Sequence, residues 1–238
     1  MRVYTNQALI RRRLRWSVVY LVVSMGLLVG GFLLSLTELP LIAQYGGSLA
    51  ALVAGLFFWS RNQVQLQRWG PRGRQDAVIV RSLRALDDRY HLLAFPDTSL
   101  PDYIVVGPMG VLVLVPRAIS GRIVCSGNQW RHEDPRPQLM RLLRWLSSGQ
   151  PLGDPGAEVS RAAERTRRHL AAILPDGLTD RMPIAGVVVF THPEARLSLE
   201  GCQASALTLR SLRGHVRRLP RALSAGEVED VTSVLTSG

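Results

Sequence analysis

Side chains able to bind metals or act as nucleophiles are sparse in this chain and badly spaced for cooperation. Cys125 and Cys202 stand far apart with no Cys-x-x-Cys, and His91, His132, His169, His192 and His215 show no zinc-ligand spacing. Two isolated cysteines read as small core residues of a protein in a reducing compartment. All 29 basic residues are Arg, so no step that needs a lysine ammonium can draw on the chain itself. Arg161, Arg165 and Arg168 recur at i, i+4 and i+7 with Glu158 and Glu164 nearby. That spacing gives a basic stripe along one helix, either a solvated face or a binding surface.

Such residues must be positioned by elements, and the first elements are apolar. Ser17 to Leu36 contains no charged side chain, and neither does Leu41 to Trp59, after only Thr37-Glu38-Leu39-Pro40. A twenty-residue helix is ~30 Å long, the thickness of a bilayer's hydrocarbon core. The pattern predicts a transmembrane helical hairpin rather than a cleaved signal peptide, which has a shorter apolar core and no second span. Arg2, Arg11, Arg12, Arg13 and Arg15 precede the hairpin and Arg61, Arg68, Arg72 and Arg74 follow it, so both termini are expected in the cytoplasm. Trp16, Trp59 and Trp69 sit at the expected interfaces. Gly26 and Gly30, and Gly47, Ala51 and Gly55, set small residues four apart, a spacing that lets two helices approach in lipid. The short loop favours packing within the hairpin; a stripe left free would dock another membrane protein's helix.

The net charge of +11 is mostly topogenic. Residues 1–74 hold nine Arg and one acid, whereas 75–238 hold twenty Arg and seventeen acids. The soluble part is only mildly basic, which makes nucleic acid a possible partner but not the favoured one. Gly70-Pro71-Arg72-Gly73 marks the boundary between an anchor, 1–74, and one cytoplasmic domain, 75–238.

In that domain Ile79, Leu83 and Leu86 predict a helix from Asp76, followed by strands over Tyr90–Phe95, Tyr103–Val106, Val111–Val115 and Gly121–Cys125. Gly107-Pro108-Met109-Gly110 reads as a hairpin turn. A helix from Ala157 to Leu174 is stopped by Pro175-Asp176-Gly177, and Ile184–Phe190 reads as a strand buried on both faces. Short strands near Leu197 and Leu207 and helices over Ser211–Leu219 and Ser224–Leu235 complete an α/β domain with a mixed central sheet flanked by helices. Leu139, Leu142, Leu143 and Leu146 suggest a further short amphipathic helix.

The run Pro101 to Leu114, PDYIVVGPMGVLVL, resembles the signature of the nuclease-related domain (NERD) family. Gly121 to Ile123, Trp130, Asp154-Pro155-Gly156-Ala157-Glu158 and Pro183 to Phe190 are similar to later parts of its pattern. The resemblance implies a restriction-endonuclease-like fold of the PD-(D/E)xK type, in which carboxylates hold Mg²⁺ and a Lys stabilises charge developing at phosphorus. Carried across, the helix acid falls on Asp76 and the strand acid on Asp102, while Val115 replaces the Glu of Glu-x-Lys and Arg117 its Lys. Val115 offers no oxygen to a cation, and Arg117 cannot serve as a base. Asp102 is expected to cap the strand entrance or pair with Arg117; with Asp76 it is a metal-ligand candidate only if the site is active.

The expectation is therefore a two-pass protein of the bacterial inner membrane whose partner includes the lipid bilayer. Its nuclease-like domain has lost catalysis, needs no cofactor, and binds or scaffolds, as an accessory subunit of a membrane complex would. The alternative is a Mg²⁺-dependent nuclease acting on DNA or RNA at the cytoplasmic face.

Overall fold

The computed structural model describes residues 1–37, 40–70, 75–133 and 152–236. The chain divides into two compact units, Gln7–Arg74 and a second one made of Met1–Asn6 together with Gln75–Gly238. The Leu139–Leu146 helix expected above falls outside the described residues.

The first unit is an antiparallel pair of 29-residue helices, α1 (Gln7–Ser35) and α2 (Leu41–Trp69). Among the described helices, α1 is long and apolar enough to cross a membrane. The seam between the two repeats every seven residues. Ser17, Ser24 and Gly31 on α1 meet Asn62, Gly55 and Ser48 on α2: Ser17 Oγ donates to Asn62 Oδ1. Ser24 Oγ donates to the Gly55 carbonyl at 3.1 Å. A Cβ at Gly31 would lie 3.4 Å from the Ser48 carbonyl and 2.8 Å from Ala51 Cβ. Gly47 and Gly55 lie against Leu34 and Leu28, so the α2 stripe is spent within the hairpin. Gly26 and Gly30, expected to share this contact, instead open onto empty space. A four-residue spacing holds over one helical turn, but an antiparallel pair stays in register over its length at seven, which selects Ser24 and Gly31. Away from the seam, Val22, Val29, Phe32, Ile42, Leu49 and Val53 are all exposed.

The second unit is built on a six-stranded mixed sheet in the order β1-β2-β3-β4-β7-β9. Its strands are β1 (Arg2–Thr5), β2 (His91–Ala94), β3 (Tyr103–Gly107), β4 (Gly110–Arg117), β7 (Ile184–Phe190) and β9 (Ala206–Thr208). β2, β3 and β4 are antiparallel neighbours, and β1, β7 and β9 join in parallel pairings. Gly107 and Gly110 face each other across the Pro108-Met109 turn, and Gly110 has φ +100°, a conformation that a side chain would strain. Residues 1–6, grouped with the anchor on composition, thus belong to the domain's sheet.

Strand alternation sends neighbouring residues to opposite faces. Val111, Val113, Val115, Val188 and Phe190 pack under α4 (Pro155–Ala171) and α7 (Ala225–Thr236). Leu112, Leu114, Val187 and Val189 point the other way and are equally buried. On that side α6 (Leu209–Arg218) packs on β7 and β9, and α3 (Asp76–Leu83) packs on α6. A short α5 (Asp176–Arg181) forms where a helix stop was expected, because Pro175 suits the residue just before a first turn.

A second, three-stranded sheet, β6-β5-β8, is a departure from the single sheet expected. β5 (Gly121–Ser126) pairs antiparallel with β6 (Gln129–Glu133), a strand not expected, and parallel with β8 (Ala195–Glu200). The cysteine reading is corrected here: Cys125 and Cys202 form a disulfide, with Cα atoms 5.7 Å apart. The β5/β8 register sets Cys125 opposite Leu199, and Gly127 and Gln203 exchange a backbone bond that folds the following loop back. Sequence separation conceals a pairing that only a parallel sheet creates.

Candidate functional site

Asp76, Asp102, Val115 and Arg117 are brought to one end of the main sheet. Asp102 immediately precedes β3, and the pairing of Tyr103 with Leu114, continued by one residue, sets it opposite Val115. Arg117 ends β4 two residues further along. Tyr103 Oη accepts a hydrogen bond of 3.0 Å from the Gln75 amide, which docks the start of α3, and with it Asp76, beside the first residue of β3. The Asp102 carbonyl accepts from the Phe95 amide at 2.7 Å. Phe95 is buried, its ring tilted against that of Tyr103 with centroids 5.2 Å apart, and has φ +55°, which for a bulky residue is a strained conformation.

The chemistry at this corner differs from a cation site. Val115 is buried in the cluster formed with Val159, Ala162 and Phe190. The Arg117 guanidinium, with only 15% of its side chain exposed, pairs with Glu158 in the first turn of α4. The expected pairing of Arg117 with Asp102 is thus replaced by one with Glu158. Asp154 caps the same helix by accepting from the Ala157 amide at 3.0 Å, so Glu158 is presented by a well-ended helix whose dipole favours an acid there. The Arg117 carbonyl accepts from the Thr191 amide at 2.9 Å, tying the end of β4 to the end of β7.

Two buried donors, Arg117 Nε and Trp130 Nε1, have no acceptor among the described residues. Trp130 stacks 6.2 Å from Phe190 and its Nε1 lies against Gly156, so both donors belong to the region around the start of α4. Among the described residues no three of Asp, Glu, His and Cys converge to hold a cation.

The Arg161-Arg165-Arg168 stripe is exposed on α4, but two of its members are occupied locally. Arg168 pairs with Glu164 at 2.8 Å, and Arg161 Nε donates to the Ala157 carbonyl. Sequence reasoning missed a polar cluster at the other edge. His91 is buried, with Nδ1 2.9 Å from Thr232 Oγ1. Thr232 spends its own proton on the Val228 carbonyl, so the imidazole donates from Nδ1. Burial holds His91 below the ordinary histidine pKa. No residue spacing in the sequence links these positions; β1, β2 and α7 bring them together.

No protein-family model, no curated protein and no solved structure matches this chain. The family resemblance thus rests on the motif residues alone.

Proposed function

We propose that the chain is a membrane-anchored, nuclease-like domain of restriction-endonuclease-like fold that no longer cleaves and serves as a binding or scaffold module. The observation that carries this reading is the occupied corner, where an apolar Val115 and an Arg117 paired with Glu158 stand at the positions where the resemblance puts a carboxylate and a lysine. Arg117 Nε and Trp130 Nε1 retain donor capacity suited to holding a ligand oxygen rather than activating water. The NERD-like motif supports the fold, together with the mixed sheet and the β3–β4 hairpin that sets Asp102 and Arg117 at one end of it.

The anchor is a two-pass hairpin with both ends cytoplasmic. Supporting this, β1 before α1 pairs with β2 after α2, as suits a hairpin whose two ends share one side. Nine flanking Arg favour the cytoplasm. With the α2 stripe used internally, Gly26 and Gly30 are the members of the two expected stripes left open for a partner helix.

The test is cleavage. Purified full-length protein with Mg²⁺ or Mn²⁺ is expected to leave DNA and RNA intact, while a mild-detergent pull-down recovers a membrane partner. Cleavage that disappears in Asp102→Ala would overturn the proposal in favour of a metal-dependent nuclease.

A further inference from the structure

We propose that the arginine faces of α3 and α6 dock on the anionic phospholipid surface of the membrane that holds the hairpin. The proposal rests on the anchor reading above and adds to it a surface and a lipid class. On α6, Arg210, Arg213 and Arg217 recur at i, i+3 and i+7, opposite the fully buried Leu212 and Val216. On α3, Arg81 points outward while Ile79 and Leu83 are buried, and Arg84 caps the helix. The two stripes adjoin, because Arg217 donates to the Ala85 carbonyl at 2.8 Å.

Among the described residues none of these guanidiniums, nor that of Arg218, is paired with a carboxylate. Gly201 to Gly226 contains five Arg and no acid. The nearest acids along the chain are occupied: Asp87 pairs with Arg89 and Asp88 with the Met1 ammonium. His215 on α6 is held below its ordinary pKa by burial and then by Arg218, as a positive surface requires. A cluster of like charges that finds no counter-charge among the described residues is complementary to an external anion. Guanidinium matches phosphate oxygens in two-pronged fashion.

Lipid is favoured over free nucleic acid by the length of the tethers. Only Asn6 separates β1 from α1, and Gly70–Gln75, at most ~20 Å when extended, separates α2 from α3. Helices of 29 residues are ~43 Å long, ~13 Å more than a hydrocarbon core. The excess falls at the arginine-bearing ends and passes through the headgroup layer. On the anchor reading, linkers this short keep the bilayer's anionic headgroups as the polyanion always within the domain's reach. Val78, exposed on α3 three residues before Arg81, adds an apolar contact suited to that boundary.

The full chain would be reconstituted in nanodiscs of phosphatidylcholine alone and of phosphatidylcholine mixed with phosphatidylglycerol, and amide exchange followed over Leu209–Arg218. Exchange is expected to slow several-fold in the anionic discs, the difference vanishing at high salt and in Arg81→Gln/Arg210→Gln/Arg213→Gln. These are exposed positions whose replacement leaves the core intact. Equal exchange in both discs, or a difference that survives in the variant, overturns the docking. Duplex DNA that protects α6 in neutral discs as strongly as anionic lipid does overturns it in favour of nucleic acid. A chain that fails to enter either disc overturns anchor and docking together, whereas entry without protection overturns the docking alone.

Discussion

Arg117 and Glu158 show how the position that the nuclease resemblance aligns with a lysine is held by ordinary electrostatics. Arg117 is far more buried than Glu158, whose side chain is 42% exposed, so the two partners are not equivalent. Glu158→Ala leaves a nearly buried guanidinium without its counter-charge and is expected to cost about 1–3 kcal/mol. Arg117→Met removes the buried charge, leaves Glu158 to water, and is expected to cost less. Urea unfolding of the two variants in detergent checks the order; a larger loss for Arg117→Met would show that the arginine's packing, not its charge, holds the corner. At this scale the sequence is a partial guide. It identifies Val115 and Arg117 as the departures from the nuclease pattern, yet the one partner it offers Arg117 is Asp102, which it also reads as a strand-entrance cap. Only the start of α4, docked on β4 and β7, reveals Glu158.

Elements were legible where one physical rule dominates. The β3–β4 hairpin, the buried β7 and the helices α3, α4, α6 and α7 follow from apolar periodicity and turn residues. What escaped was long-range: β1 has no periodicity over its four residues and becomes a strand only because β2 offers an edge. The same holds for the interhelical seam, whose seven-residue repeat is visible only once α2 is laid antiparallel to α1. That seam yields a paired prediction. Gly31→Val drives a side chain into Ala51 and the Ser48 carbonyl and should separate the helices. Gly26→Val meets nothing within 4 Å and should be tolerated. Crosslinking between Ser17→Cys and Asn62→Cys reports the distance, and equal crosslinking in both backgrounds would show that the seam lies elsewhere.

For the whole molecule, the pairing of β1 with β2 and the Cys125–Cys202 bond pull toward different compartments. The arginine-rich flanks argue for a cytoplasmic domain, as proposed, whereas a disulfide that joins β5 to the β8–β9 loop is most at home on an oxidising side. Closing 77 residues of chain would stabilise the fold by about 4 kcal/mol on the chain-entropy view. In intact cells an impermeant maleimide is expected to label Thr37→Cys and to spare Ser60→Cys. The bond then answers to glutathione-type thiols, which reach Cys202 more readily than the fully buried Cys125. The reverse labelling would put the domain outside, with the bond permanent, and overturn the cytoplasmic orientation.

If α1 and α2 form the proposed two-pass anchor, the strand β1 also sets an order on biogenesis. It leaves the ribosome before either membrane helix, yet its partner β2 emerges only after both have been made. Until then its backbone amides and carbonyls have no ladder to join, and the His91 edge of the sheet has no cover. A nascent chain whose second helix fails to insert leaves β1 and β2 on opposite sides of the bilayer. Its edge then remains open, a template for aggregation and a target for membrane proteases. On that anchor, correct insertion is read out by the domain's own folding, because the sheet is then completed only by a chain that has crossed the membrane and returned.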